Sequence, residues 1–134
     1  MVKRLLFVAL VALAGTAPAR AAGPAAEQVL RQYFTLLAQH NYSAAYRLTE
    51  HEVPLRRFVA AFRPYRTYQG RAAGHGTGDG AMGSSYMEIP VEVHGRMRNG
   101  RPFSEHGTVT LRTHNSPGGR WDIYHTDVAP RFGD

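Results

Sequence analysis

Apolar positions recur with a helical period in the first half of the chain and alternate in the second half. Val29, Tyr33 and Leu37 fall on one face, with Leu30 and Phe34 beside them, and this stripe predicts an amphipathic helix. Pro24 suits the first turn of that helix, where a missing N–H leaves no bond unmade, and Glu27 suits its positive end. A short second helix is expected from about Asn41, with Tyr42, Ala45 and Tyr46 on one side. Leu55, Phe58, Val59 and Phe62 stand at i, i+3, i+4 and i+7. They predict a third helix, opened by Pro54 and closed by Pro64.

Strands follow. Tyr65 to Gly74 reads as a weak first strand. Gly74 to Ser85 carries glycine at 74, 76, 78, 80 and 83 and is expected to be a mobile loop. Tyr86 to Arg98 alternates, with Met87, Ile89, Val91, Val93 and Met97 on one face. Phe103 to Thr113 turns Val109 and Leu111 inward, Asn115 to Gly119 is a turn, and Arg120 to Val128 turns Trp121 and Ile123 inward. Three helices followed by a four-stranded antiparallel meander make an α+β fold, with the helices packed on a curved sheet in a cone-like roll.

The register follows from keeping apolar residues on one face. A two-residue turn at Asn99-Gly100 would set Val91 against Thr108. Pairing Val91 with Val109, Ile89 with Leu111 and Met97 with Phe103 keeps the faces pure and predicts a three-residue loop or a bulge. The same register sets Glu88 against Arg112 and His94 against His106. In the next hairpin, pairing Leu111 with Ile123 and Arg112 with Asp122 avoids an Arg112–Arg120 clash. An outer ladder of Glu88, Arg112 and Asp122 is the expectation.

The N-terminus has a different pattern. Lys3 and Arg4 precede an unbroken apolar run from Leu5 to Ala14, and Ala19-Arg20-Ala21 follows. That order reads as a secretory signal peptide over residues 1–22. The run is too short for a membrane span. The expectation is therefore an exported protein, periplasmic or secreted from a bacterium, with one domain over residues 23–134. Its 112 residues suffice for one core. The chain has no cysteine, so disulfides and thiolate zinc sites are excluded. Lys3, Arg4 and Arg20 leave with the leader, and thirteen arginines then face ten acidic residues. These arginines are scattered along the sequence and form no basic stripe interleaved with aromatics, so nucleic acid is not expected as a partner. Asn41-Tyr42-Ser43 matches a glycosylation sequon, which bacterial export deprives of weight.

Three segments carry a family resemblance: "EQVLRQYFTLLAQHNYSAAYRLT", "PLRRFVAAF" and "YMEIPVEVHGRMRNG…GTVTLRTHNSPGGRWDIYHTDV". A long amphipathic helix, N-Y-x-x-A-Y, and a meander ending in W-x-I-Y resemble small exported members of the nuclear transport factor 2-like superfamily. The resemblance covers nearly all of residues 23–134 and implies a cone-shaped α+β fold. That superfamily includes isomerases, dehydratases, polyketide cyclases and non-enzymatic domains, so it implies no single activity. A cystatin-like roll also sets a helix against a sheet, but the Q-x-V-x-G motif of cystatin inhibitors is absent.

Three groups of residues could carry chemistry. Glu105, His125 and Asp127 share the inward parity, and His125 and Asp127 stand roughly 6–7 Å apart along one strand. A carboxylate beside an imidazole at an apolar mouth could shuttle a proton, whereas polar residues at strand ends are also ordinary. His94 and His106, with Glu92 two residues from His94, could ligate zinc or copper, although an open sheet face offers no supporting shell. The aromatic set Tyr33, Phe34, Tyr42, Tyr46, Phe58, Phe62 and Trp121, with Ile123, could line a pocket or simply form the core. No nucleophile elbow, phosphate loop, HExxH or dinucleotide fingerprint occurs, and no cofactor is expected. The leading expectation is a non-catalytic domain that binds a small apolar or mixed-polarity ligand or a protein. The alternatives are a cofactor-free isomerase or dehydratase using His125 and Asp127, and a module that dimerises through its outer sheet face.

Overall fold

A computed structural model of the chain describes residues 18–81, 84–114 and 119–132, without the side chains of 18–22 and 79–81. The basic start and the apolar run lie outside the described residues, as does most of the Asn115–Gly119 turn. Helix α1 spans Pro18–Ala38, so Pro24 lies inside it rather than in its first turn, and Ala19-Arg20-Ala21 is helical. Ala26, Leu30, Tyr33, Phe34 and Leu37 form its buried stripe. The helix ends in a Schellman turn: Asn41 N–H donates to Leu36 O at 2.9 Å and His40 N–H to Leu37 O at 3.0 Å. His40 takes the left-handed position with φ +60°. Asn41 then caps α2 (Tyr42–Tyr46) through Ala44 N–H. Helix α3 (Leu55–Phe62) buries Phe58 and Phe62. Leu55, expected on the same stripe, is 40% exposed instead, because the stripe meets the core only from its second turn.

Five antiparallel strands follow: β1 (Tyr65–Ala72), β2 (Thr77–Ala81), β3 (Ser84–Met97), β4 (Pro102–His114) and β5 (Asp122–Thr126). Their order is β1-β3-β4-β5, and β2 also pairs with β3. The glycine-rich segment is thus not wholly a loop, as its composition suggested. β1 uses β3 only from Val91 to Met97, which leaves Ser84–Glu88 as an open edge, and residues 77–81 pair with it. Satisfying that edge outweighs the poor strand propensity of glycine.

The β3–β4 register keeps the expected faces but lies two residues from the expected pairing. Ile89 pairs with Val109, Val91 with Gly107 and Gly95 with Phe103, and Arg112 faces Tyr86 rather than Glu88. The loop has three residues, as expected, but they are Arg98–Gly100: Met97 N–H donates to Arg101 O at 2.8 Å. Turn chemistry decides this. Gly100 takes the left-handed position with φ +88°, and the Asn99 side chain accepts from Arg101 N–H at 2.9 Å. Leu111 pairs with Ile123 and Arg112 with Asp122 as expected, but beyond them a bulge leaves Tyr124 unpaired and sets Thr110 opposite His125.

Helix α1 packs chiefly on β1. A single core fills the space between helices and sheet, with Ile89, Val91, Val93, Val109 and Leu111 beneath the α1 stripe. The connection between α2 and α3 runs parallel along β5: Ile123 N–H donates to Leu48 O at 2.7 Å, and Glu50 N–H to Ile123 O at 3.0 Å. This covers the last sheet edge and brings Thr49, Glu50 and Val53 to the mouth of the cone.

Candidate functional site

The mouth holds a narrow cleft. Tyr33, Tyr46, Val53, Phe58, Ile123 and Phe132 supply most of its apolar lining, and Thr49, Glu50, Glu52 and His125 lie at its rim. Its free space is about 40 Å³, room for about three waters. Aromatic side chains fill the rest. Phe132 stacks on Phe58 at 5.3 Å and 14°, and Phe58 meets Phe62 at 5.1 Å. Phe62 meets Tyr68 edge-on at 5.2 Å.

Tyr33 is the chemically distinctive member. It is 3% exposed, and its hydroxyl has no hydrogen-bond partner in the described protein. That oxygen is nonetheless not sealed, since no buried side-chain polar atom lacks a partner among the described residues. Tyr33 itself lines the cleft. Burial pushes its pKa far above the ordinary tyrosine range, so it stays protonated and able to donate or accept. Tyr46 and Tyr68, by contrast, are tied down: Tyr46 donates to Val53 O at 2.6 Å and Tyr68 to Ala129 O at 2.6 Å, while the buried Tyr65 does not line the cleft.

Of the two rim carboxylates, Glu50 is held by an arginine and Glu52 is exposed. Glu50 forms a two-pronged pair with Arg112, with Nε to Oε1 at 2.9 Å and a second bond to Oε2. The pairing, chiefly with Glu50, raises the Arg112 pKa. The Arg112 guanidinium also lies 4.4 Å from the centre of the Tyr124 ring. Of the expected Glu88–Arg112–Asp122 ladder only Arg112 opposite Asp122 stands. Glu88 faces Thr110, and Asp122 pairs with Arg120 at 3.0 Å. Sequence reasoning missed the Glu50–Arg112 pair because the two stand on elements far apart in the chain.

The inward trio does not converge. The bulge at Tyr124 shifts the alternation of β5, so His125 and Asp127 are exposed and Val128 takes the buried place. His125 borders both the cleft and a hollow on the outer sheet face beside Tyr86, Glu88 and Thr110. Asp127 lies 3.7 Å from Arg131. Glu105 does share a face with Val93, but its carboxylate binds Arg131 and accepts from Ala129 N–H at 3.3 Å. Its role is to pin the C-terminal segment that carries Phe132.

The metal trio is likewise not assembled. His94 faces Ser104, because the register differs from the expected one by two residues, and His106 faces Glu92. Glu92 is engaged by Arg71 at 2.6 Å and lies 3.6 Å from His106. Among the described residues no group of three histidines or carboxylates is placed to hold a metal. Of the aromatic set, Tyr33, Tyr46 and Phe58, with Ile123, line the cleft, while Phe62 lies deeper and Trp121 is buried elsewhere in the core. Phe132 was not foreseen, since only the returning C-terminal segment brings it to Phe58.

No family model matches the sequence, and no curated protein matches it at a significant level. Its backbone is similar to that of a nuclear transport factor 2-like superfamily protein from Salmonella enterica subsp. enterica serovar Typhimurium str. LT2, with a TM-score of 0.62. The likeness covers 86% of this chain and 96% of that one at 9% identity. The chain has the nuclear transport factor 2-like fold. At that identity the likeness carries architecture and no residue roles. In this nuclear transport factor 2-like cone the mouth is narrowed by Phe132, and no described helix is long and apolar enough to cross a membrane.

Proposed function

We propose that this chain is an exported, non-catalytic binding domain whose cleft receives one small polar-tipped group against the Tyr33 hydroxyl. The observation that carries the reading is that hydroxyl: buried, without a partner among the described residues, and on a residue that lines an aromatic cleft. A cleft of this size admits the end of a ligand or one side chain of a partner, not a whole drug-sized molecule. Acid–base chemistry would need a free carboxylate or imidazole aimed at the bound group. Glu50 and Glu105 are both held by arginines, and Glu52, His125 and Asp127 are exposed, which favours binding over an isomerase or dehydratase. The outer-face pair Tyr86–Tyr124, at 5.7 Å, supports dimerisation as a second reading.

Export rests on the order of basic, apolar and A-x-A residues. Loss of the leader at Ala21 or Ala22 would also return Pro24 to a first turn, where it is tolerated. N-terminal sequencing of the protein from its host tests this, and a chain still beginning at Met1 would refute it. Native mass spectrometry of the same material tests binding. A retained small molecule is expected, lost in Tyr33→Phe and kept in His125→Ala. Turnover abolished by His125→Ala or Asp127→Asn would establish the enzyme reading instead. A concentration-dependent dimer broken by Tyr86→Glu would establish the dimerisation reading.

A further inference from the structure

We propose that the arginine-rich end of the cone is a docking surface for a membrane whose lipids carry anionic phosphate headgroups. Residues 28–49, 53–78 and 93–104 contain no aspartate or glutamate. The fold brings these three stretches together. Tyr65 pairs with Met97 and Thr67 with Arg96, Arg98 N–H donates to Pro64 O at 2.8 Å, and the His40 ring meets Arg66 O at 3.1 Å. Arginines scattered in sequence thereby converge. Arg98 donates to Arg63 O, Arg66 to Arg98 O at 3.4 Å, and Arg96 to Gly100 O at 2.9 Å. These three guanidiniums are held by neutral carbonyls, which fixes their positions without cancelling charge. Arg63, Arg66, Arg96, Arg98 and Arg101 are all exposed. None of them appears in an ion pair among the described residues, where the arginine pairs involve Arg71, Arg112, Arg120 and Arg131.

The chemistry of the patch selects among anionic partners. A protein interface has an apolar or aromatic centre. Here the one large exposed hydrophobic residue among the described residues, Leu55, lies at the opposite end of α3 from Arg63. Single-stranded nucleic acid needs open aromatic faces for stacking. Tyr42, whose ring feels the Arg98 charge, stacks on His40 at 5.7 Å and on Phe62 at 5.5 Å, so it is already engaged within the protein. Five exposed, like-charged arginines with no large exposed hydrophobic residue among them match a surface of many phosphates, recognised through charge. None of these residues lines the cleft, so the proposal stands apart from the binding reading above.

The test is co-sedimentation of the purified chain with vesicles of phosphatidylcholine, with and without phosphatidylglycerol. Binding is expected only to the anionic vesicles and should fall as salt is raised. Arg63→Glu/Arg101→Glu changes two side chains that hold no other residue and should weaken binding by more than roughly 30-fold, about fivefold for each arginine lost and more from the repulsion of each new carboxylate. Arg31→Glu/Arg47→Glu makes the same change in net charge at two arginines that no contact joins to the five of the patch, and should weaken it far less. If the first double variant does not melt like the parent, Arg101→Gln alone is read, with roughly fivefold loss expected. Equal binding to both vesicles, or equal loss in both double variants, would overturn the proposal. Binding to polyglutamate, an oligonucleotide or inorganic phosphate without binding to anionic vesicles would also overturn it.

Discussion

Replacing Tyr33, Tyr46 and Tyr68 singly by phenylalanine separates a hydroxyl that serves the fold from one left for a ligand. In Tyr46 and Tyr68 the substitution strips a 2.6 Å bond from a backbone carbonyl, Val53 O or Ala129 O. Each carbonyl is left in a half-buried place, so the expected cost is about 1–2 kcal/mol. Tyr33 gives up no bond to the protein, and its ring still fills the same space. The expected change there is within about 0.5 kcal/mol, because the hydroxyl exchanges only water. Equilibrium unfolding in urea reads these differences, with an unchanged slope showing that the unfolded states are comparable. In a thermal melt, Tyr46→Phe and Tyr68→Phe should each lower Tm by roughly 4–8 °C, with Tyr33→Phe near the parent. The reasoning fails if Tyr33→Phe costs as much as the other two. Its hydroxyl would then be bonded within the protein, and the cleft would lose the group on which the binding reading depends.

Three further outcomes follow from the packing. Gly107→Ala should destabilise by more than about 2 kcal/mol in urea, because a Cβ there would lie 2.1 Å from Asp127 O and the β4–β5 bulge cannot yield without breaking its ladder. Glu50→Gln should cost about 1.5–3 kcal/mol, and a double-mutant cycle with Arg112→Met should return most of this as coupling; additive costs would mean the pair does not anchor the α2–α3 connection to the sheet. Burial, only partly offset by Arg120, raises the Asp122 pKa. The folded state therefore holds that proton more tightly than the unfolded one. The resulting stability is full below the unfolded value of about 4 and is lost as pH rises through the folded value. Unfolding followed from pH 3 upward should show this decline in the parent and a flatter profile in Asp122→Asn.

The sequence alone determined the order of the helices and of every strand but β2, the sheet faces and the core. These rest on apolar spacing, which any register with the same parity preserves: Ile89, Val91, Val93, Val109 and Leu111 are buried either way. It also excluded a two-residue turn after Met97, leaving a three-residue loop or a bulge. It did not determine which three, because hydrophobic parity permits shifts of two residues. The left-handed Gly100 and the Asn99–Arg101 bond selected Arg98–Gly100. That shift separated His94 from His106 and left Glu88 opposite Thr110.

Only the tertiary structure decided the site. One bulged residue at Tyr124 shifted the alternation of β5 and turned His125 and Asp127 outward, an event that spacing cannot announce because it depends on how β4 meets β5. Phe132, Glu50 and the convergent arginines owe their places to contacts between segments far apart in the chain. Local pattern fixes which face of an element is apolar, since burial acts on each residue separately. Which charges and rings meet across elements depends on register, bulges and the return of the chain, and these exist only once the whole core has closed.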